Sequence, residues 1–183
     1  MSKDIDIVIY GATGFTGQLC VKYFQSLDLD IKWAIAGRNL GKLENVASKF
    51  SSNVEILVAD SDDKKALKDI CSRSKVVLST AGPFHRYGSK LVATCIENDT
   101  HYVDITGENF WVKGLIEKHH KEAARKGIRI IPSCGFDSIP SDIGTFFAVR
   151  SLNKPVKRVD SFHSWKGEAL SLIHISEPTR QLA

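Results

Sequence analysis

The sequence has few of the features that mark secreted, membrane-spanning or nucleic-acid-binding proteins. Only four of its 183 residues are cysteines, and Cys20, Cys71, Cys95 and Cys134 form no C-x-x-C pair, which is typical of reduced thiols. No apolar run approaches the roughly 20 residues that cross a bilayer, and the N-terminus has no apolar segment of a secretion signal. The net charge of +4 is spread along the chain without a basic stripe. We therefore expect an intracellular, cytoplasmic protein that binds no nucleic acid.

Two common catalytic motifs are also absent. Tyr87 and Lys90 are three residues apart, so the Tyr-x-x-x-Lys proton donor of short-chain dehydrogenases is missing. There is no His-Glu-x-x-His, and the adjacent His119 and His120 would point about 100° apart on a helix, which is poor geometry for one metal ion. We predict no metal site. His85 is a candidate proton donor whose role the sequence leaves open.

What the sequence does contain is an unbroken alternation of strand and helix patterns. Six such units predict an α/β fold, a Rossmann-type doubly wound parallel sheet with strand order 3-2-1-4-5-6. The predicted strands are 5–10, 31–36, 54–59, 75–79, 101–104 and 128–132. The predicted helices are 14–26, 40–50, 62–72, 85–98, 109–126 and 139–150.

The first strand runs directly into three glycines with G-x-x-G-x-x-G spacing. A glycine turn between a strand and a helix lets the backbone approach an anion, and the helix N-terminus offers free N–H groups and a positive dipole end. In a first βα unit this anion is usually the pyrophosphate of a dinucleotide, although an ordinary turn without a ligand has the same pattern. The predicted cofactor-binding residues here are Gly11, Ala12, Thr13, Gly14, Phe15, Thr16 and Gly17.

The end of the second strand bears on the choice of dinucleotide. NAD sites usually have an acidic residue there for the ribose 2′-hydroxyl, whereas this chain has Arg38 and Asn39. A guanidinium suits a 2′-phosphate, so we predict NADP(H), with NAD less favoured. Alternatively, Arg38 only begins a solvated loop. Asp60 closes the third strand, where it would either accept a hydrogen bond from the adenine or cap the following helix.

Three further loops lie at the same predicted sheet edge. The loop after the fourth strand has small residues that would let the cofactor cross the strand ends, and it supplies the predicted cofactor-binding residues Thr80, Ala81, Gly82 and Pro83. The loops after the fifth and sixth strands hold polar candidates, for each of which helix capping or loop structure is the favoured alternative to catalysis. These are Asp104, Thr106, Glu108, Cys134 and Asp137.

The pattern changes after residue 152. An alternating apolar and polar segment over 156–165 predicts a half-exposed antiparallel strand. We expect residues 1–152 to form the nucleotide-binding domain and 153–171 to begin a second domain that the chain does not complete.

Five blocks in order resemble the saccharopine dehydrogenase-like oxidoreductases, and the bacterial trans-acting enoyl reductases are similar. They are Gly11–Gly17, Ala36–Asn39, Ser79–Phe84, Tyr102–Glu108 and Cys134–Asp142. The resemblance implies a Rossmann domain followed by a mixed α/β domain for substrate and dimer contacts, of which 153–171 would be the truncated start. It implies a nicotinamide-dependent redox activity and a homodimer at full length. It also implies association of some members with lipid droplets and mitochondria. Residues 172–183 do not continue the family's pattern and are interpreted as a non-native or aberrant tail.

Three functions follow as hypotheses. The first is NADP(H)-dependent hydride transfer to a C=C or C=N bond of a lipid-like or amino-acid-derived small molecule, by a chain that is inactive as a fragment. The second is saccharopine reductase, whose substrate needs a basic cluster. The third is a non-catalytic NADP-sensing or lipid-droplet-associated protein.

Overall fold

The computed structural model describes residues 3–27, 29–50, 53–152 and 154–162. They contain one six-stranded parallel sheet with the order β3-β2-β1-β4-β5-β6, which confirms the predicted doubly wound topology. The strands are β1 (Ile5–Tyr10), β2 (Trp33–Gly37), β3 (Glu55–Val58), β4 (Ser74–Ser79), β5 (His101–Asp104) and β6 (Ile130–Ile131).

A helix follows each strand, as the right-handed crossover between parallel strands requires. The helices are α1 (Phe15–Ser26), α2 (Leu40–Phe50), α3 (Lys64–Arg73), α4 (Phe84–Glu97), α5 (Asn109–Lys126) and α6 (Ile139–Ser151). None of these helices, within the part of the chain that the structure describes, is long and apolar enough to cross a membrane.

The core is divided by the sheet into two apolar layers. Successive side chains of β1 point to opposite faces, so Val8 lies in one layer and Ile9 in the other. The layer around Val8 is closed by α3, α4 and α5 through residues such as Leu91, and the layer around Ile9 by α1 and α2 through Val21 and Leu43. Full burial of each such side chain is worth about 1.5–3 kcal/mol. Packing on both faces thereby holds the sheet rigid, and this fixes the positions of the carboxyl ends of its strands.

The C-terminal part of the described chain differs from the prediction. Helix α6 has no buried residue, and Phe147 is 65% exposed. No strand forms over 156–162, so the predicted strand 156–165 is wrong in this part, while 163–165 lies outside the described residues. The physical reason is that a strand needs a neighbour for its N–H and C=O groups, and residues 154–162 pair with none of the six described strands. The predicted tail 172–183 also lies outside the described residues, and the division into domains stays a prediction.

Candidate functional site

The glycine turn lies where the strand order reverses. Strands β1 and β4 are neighbours in the sheet, and the chain leaves them in opposite directions along it, toward β2 and β5. Ligands of open α/β sheets bind in the crevice at the carboxyl ends of such strands. Residues 11–14 follow β1 into this crevice, and residues 80–83 follow β4 beside them.

The turn is fixed on both sides by neighbouring strands. The Gly11 N–H donates to the Ala36 carbonyl oxygen over 2.9 Å, and the Thr80 hydroxyl lies 3.1 Å from the Gly11 carbonyl oxygen. Gly11 has φ +86°, and a Cβ there would stand 2.8 Å from the Ala81 nitrogen. Only glycine satisfies both the left-handed backbone and this close approach. Thr80 and Ala81 therefore hold the turn in place.

The other two glycines have different local roles. A Cβ on Gly17 would lie 2.2 Å from the Gly11 carbonyl oxygen, so Gly17 lets α1 pack directly against the turn. A Cβ on Gly14 would come no closer than 3.4 Å to its nearest neighbour, again Gly11 oxygen. Packing within the protein therefore requires glycine at position 17 but not at position 14. The absence of a side chain at Gly14 leaves room above the turn for a ligand.

The start of α1 presents unpaired donors to this space. Gly14 is the N-cap residue and has no side chain to accept from the first turn, and no acidic side chain lies in that turn. Among the residues that the structure describes, the amides of Phe15, Thr16 and Gly17 have no acceptor. Free N–H groups and the positive end of the helix dipole favour an anion at this position.

The loop after β2 contains a positively charged side chain that could bind a ligand anion. Arg38 is exposed and forms no ion pair within the described residues. Asn39 instead serves the helix, because its Oδ1 accepts the Lys42 N–H over 2.9 Å. Arg38 is therefore free to bind a ligand anion beside the N-terminus of α2, whereas the side-chain oxygen of Asn39 is already used.

Asp60 forms a tight turn rather than a helix cap. Its Oδ1 accepts the Asp62 N–H over 2.9 Å. Helix α3 is capped by Asp63, which accepts from the N–H groups of Lys65 and Ala66 over 3.0 Å each. The capping alternative for Asp60 was therefore wrong, since the helix begins two residues later than predicted. The role of Asp60 at the adenine stays a prediction.

Asp104 organises the loops after β5 and β6. Its carboxylate accepts the N–H groups of Thr106 and Ser133 over 3.0 Å each and the Tyr102 hydroxyl over 2.9 Å. Burial raises the pKa of this carboxyl above its ordinary value, while the two backbone donors partly oppose the shift. Both carboxylate oxygens of Asp104 thus accept hydrogen bonds that hold these loops together, which favours the loop-structure interpretation of this residue.

Glu108 connects the loop after β5 with the start of α4. The N-cap of α4 is Pro83, which has no side-chain acceptor, and the Gly82–Pro83 peptide is cis. Glu108 supplies the missing acceptors: Oε1 accepts the Phe84 N–H and Oε2 the His85 N–H, each over 2.8 Å. The same Oε2 lies 2.6 Å from His85 Nδ1. The chain thereby brings a carboxylate and an imidazole together at the carboxyl edge of β4 and β5.

Two other predicted residues lie nearby. A Cβ on Gly107 would be 3.5 Å from Asp137 Oδ2, and one on Gly135 would be 2.6 Å from Oδ1 of the same side chain, so Asp137 spans the two loops. The Cys134 thiol lies 3.3 Å from the Ile131 carbonyl oxygen, and burial raises its pKa, so it is a poor nucleophile. Within the described residues no group of three or more His, Cys, Asp or Glu side chains could hold a metal ion.

The structure thus brings the turn 11–17, residues 80–83 and the acidic loops to one edge of the sheet, and places Arg38 and Asp60 beside them after β2 and β3. Sequence reasoning considered His85 and Glu108 separately but missed their pairing. No local signal could have shown it, because the two residues are 23 positions apart and meet only through the geometry of two loops.

Comparison with known proteins identifies this arrangement. The family model of the saccharopine dehydrogenase NADP-binding domain matches residues 7–131, from β1 to the end of β6. The chain belongs to this family. The family's cofactor agrees with the glycine turn and with Arg38, and the prediction of NADP(H) is confirmed.

Individual relatives extend the comparison. A trans-acting enoyl reductase of Mycobacterium leprae is 42% identical over 147 residues, which cover 79% of this chain and 35% of the relative. A lipid droplet localized protein of Caenorhabditis elegans is 35% identical over 166 residues, or 86% of this chain and 39% of the relative. This chain therefore spans less than half the length of these curated relatives.

A solved structure supports the fold. The apo saccharopine dehydrogenase (L-Glu forming) of Saccharomyces cerevisiae aligns with a TM-score of 0.66 at 21% identity, over 80% of this chain and 32% of that one. Both chains thus share the doubly wound sheet, and the sequence-based family assignment is independent of this likeness.

Proposed function

We propose that this chain is the NADP(H)-binding part of an oxidoreductase that reduces a conjugated C=C bond in a lipid-like acyl substrate. The observation that carries the proposal is the fixed glycine turn at the β1/β4 switch point, where the first amides of α1 have no acceptor among the described residues. Relatives named trans-acting enoyl reductases support the choice of a C=C bond.

The cofactor would lie across the carboxyl edge in the usual direction for this fold. Its pyrophosphate would meet Gly14 and the amides of Phe15 and Thr16, and its 2′-phosphate would meet Arg38. The nicotinamide half would then lie over the loop 80–83. When bound, the reduced nicotinamide supplies the hydride, and the protein supplies position and electrostatics.

The charge of the nicotinamide side favours an uncharged substrate. Glu108 and Asp137 border this end of the edge, and among the described residues no lysine or arginine forms an ion pair with either of them. Saccharopine carries several carboxylates and would be repelled there, so saccharopine reductase is the weaker hypothesis. An amino-acid-derived C=N substrate with fewer carboxylates remains the second candidate.

A regulatory protein that binds NADP(H) without turnover is a further alternative, supported by the absence of a Tyr-x-x-x-Lys pair. Association with a lipid droplet is proposed by likeness to the relative of that name, and a homodimer by the family resemblance. With less than half the length of its curated relatives, the 183-residue chain is expected to bind cofactor without turnover.

The cofactor site is tested by binding to Arg38→Asp. Thermal shift with NADPH and NADH measures the apparent affinity of each. Loss of the guanidinium and addition of a carboxylate should weaken NADPH far more than NADH, because only NADPH carries the 2′-phosphate. Arg125→Asp makes the same charge change on the distant end of α5 and should affect neither. Equal weakening of both cofactors by Arg38→Asp would refute the assigned role.

The reaction is tested on the full-length gene product. NADPH oxidation is followed with an enoyl thioester, with a cyclic imine and with saccharopine precursors in parallel. Consumption of the thioester alone supports the proposal. Consumption of the imine or of the saccharopine precursors alone would favour the corresponding alternative, and binding of NADPH without any turnover would favour the regulatory one.

A further inference from the structure

The imidazole of His85 is held at one nitrogen and free at the other. His85 is the second residue of α4, and its Nδ1 lies 2.6 Å from Glu108 Oε2. Its Nε2 has no hydrogen-bond partner among the described residues, and the side chain is half exposed. A carboxylate on Nδ1 fixes the ring in the tautomer that carries hydrogen there, so Nε2 is left to exchange protons with whatever it faces.

Glu108 is itself immobilised. Both of its carboxylate oxygens accept backbone N–H groups at the start of α4, and its own N–H donates to the Thr106 hydroxyl over 3.0 Å. Its side chain is 12% exposed. A carboxylate that accepts from three donors and has little contact with solvent is held against the ring.

The His85–Glu108 pair lies on the side of the crevice where chemistry would occur. His85 follows the loop 80–83 by two residues, and Glu108 precedes α5, so the pair lies at the carboxyl ends of the adjacent strands β4 and β5. The nicotinamide half of a dinucleotide lies on this side of the switch point, away from β2 and the adenine. The ring of Phe110, which is 67% exposed, packs 5.6 Å from the imidazole and provides an apolar wall.

We propose that His85 is the general acid of the reduction and that Glu108 is the residue that positions it. The inference rests on the proposed function. His85 would pass the proton on Nε2 of its imidazolium to the α-carbon as the β-carbon gains the hydride that a bound NADPH would supply. The C=C bond would thereby be reduced to C–C at the expense of NADPH, and the imidazole would keep its Nδ1–H bond to Glu108. The exposed ring is then protonated again by solvent.

The same pair suits both candidate substrate classes. Hydride addition to a conjugated C=C bond leaves an enolate that must gain a proton at carbon, and reduction of an imine likewise requires a proton on nitrogen. A general acid therefore serves either reaction, and the parallel assays distinguish the substrates. Among the described residues, the charged groups beside His85 are Glu108 from the loop after β5 and Arg86, its neighbour on α4, whose guanidinium lies over the Tyr87 ring.

The first measurement uses the 183-residue chain and needs no turnover. The imidazole resonances of His85 are assigned from the His85→Gln variant and followed against pH with and without NADP⁺. We expect a Nδ1–H tautomer in the neutral ring and a shift of these resonances when NADP⁺ binds. Resonances of His85 that do not respond to NADP⁺, while binding is evident elsewhere, would overturn the inference.

The second measurement uses the full-length gene product with NADPH and the enoyl thioester. General acid catalysis is worth about 10²–10⁴-fold, so His85→Gln should lower kcat at least about 100-fold with little change in KM. External imidazole should partly restore His85→Ala. Glu108→Gln should shift the pH profile of kcat, which a purely structural role would leave unchanged. His120→Gln, on the exposed surface of α5, is the matched control.

The outcomes separate the two hypotheses. Turnover by the wild type that His85→Gln leaves unchanged overturns the role of His85 and retains the reductase. No turnover of the thioester by the wild type refutes the proposed reaction, and the NADP⁺ response of His85 then decides whether the residue lies at the nicotinamide. Melting temperatures of all variants exclude misfolding as the cause of a lost rate.

Discussion

The three glycines of the turn make a graded prediction that separates folding from cofactor binding. The most sensitive change is Gly17→Ala, because the new Cβ would lie 2.2 Å from the Gly11 carbonyl oxygen. The oxygen belongs to the backbone of the turn and the Cβ is attached directly to the backbone of α1, so neither can move aside cheaply. Overpacking of this kind costs about 1–3 kcal/mol or more, and the overlap exceeds 1 Å, so the upper part of the range applies.

The magnitude follows from two opposed terms. Alanine is favoured over glycine within a helix by about 1 kcal/mol, which offsets part of the overlap. The net loss for Gly17→Ala is about 2 kcal/mol, or roughly 4–8 °C in melting temperature for a chain of this size. Gly114 is the matched control, since a Cβ there meets nothing within 4 Å. Gly114→Ala should therefore gain up to about 1 kcal/mol and raise the melting temperature by about 2–4 °C.

Gly14→Ala completes the series. Its nearest contact would be 3.4 Å and its φ is −73°, so the protein should fold with a loss of at most about 1 kcal/mol, which arises because alanine is less favourable than glycine at an N-cap. The methyl group would nevertheless occupy the space where we place the pyrophosphate, so the Kd for NADPH should rise at least about tenfold, equivalent to about 1.4 kcal/mol. Urea unfolding and NADPH titration measure the two effects separately. Gly17→Ala with wild-type stability, or Gly14→Ala with wild-type affinity, would refute this account of the turn.

Three further predictions concern stability. Asp63→Ala removes the cap of α3 and should cost about 1 kcal/mol in urea unfolding, whereas exposed Asp62→Ala should change little; equal effects would contradict the capping role. Leu91→Ala in the core should cost about 2–5 kcal/mol by the same measurement, and a loss below 1 kcal/mol would show that its site collapses. The raised pKa of Asp104 means that its contribution to stability is fully present below about pH 4, the unfolded value, and is lost as pH rises through the folded value. Wild-type stability should therefore decline with rising pH relative to Asp104→Asn, and a constant difference between the two would refute the shift.

The parts of the fold that sequence predicted best are those set by local pattern. Strand β1 matches the predicted 5–10, and β4 matches the predicted 75–79 to within one residue. Apolar side chains on both faces of a strand in a covered parallel sheet leave little choice of position. The glycine spacing located the turn for a similar reason, since a left-handed residue and two close approaches of backbone leave few alternatives at Gly11 and Gly17.

Sequence reasoning failed where one element depends on another. The segment 156–162 has the alternation of a strand but no strand beside it in the described chain, and pattern alone cannot supply a partner. The residue that caps α3 depends on where the turn after β3 ends. Sequence reasoning placed the start of the helix two residues too early and therefore considered Asp60, and not Asp63, as its cap. The contact between His85 and Glu108 required two loops of known shape.

The way the glycine turn is clamped has a thermodynamic consequence for the ligand. Bonds from Gly11 to Ala36 and from Thr80 back to β1 fix the turn before any cofactor arrives. A nucleotide that binds there meets a preorganised turn, so binding need not order the backbone that contacts the nucleotide. More of the interaction with the pyrophosphate then appears as affinity, and the turn should keep the same conformation with and without its ligand.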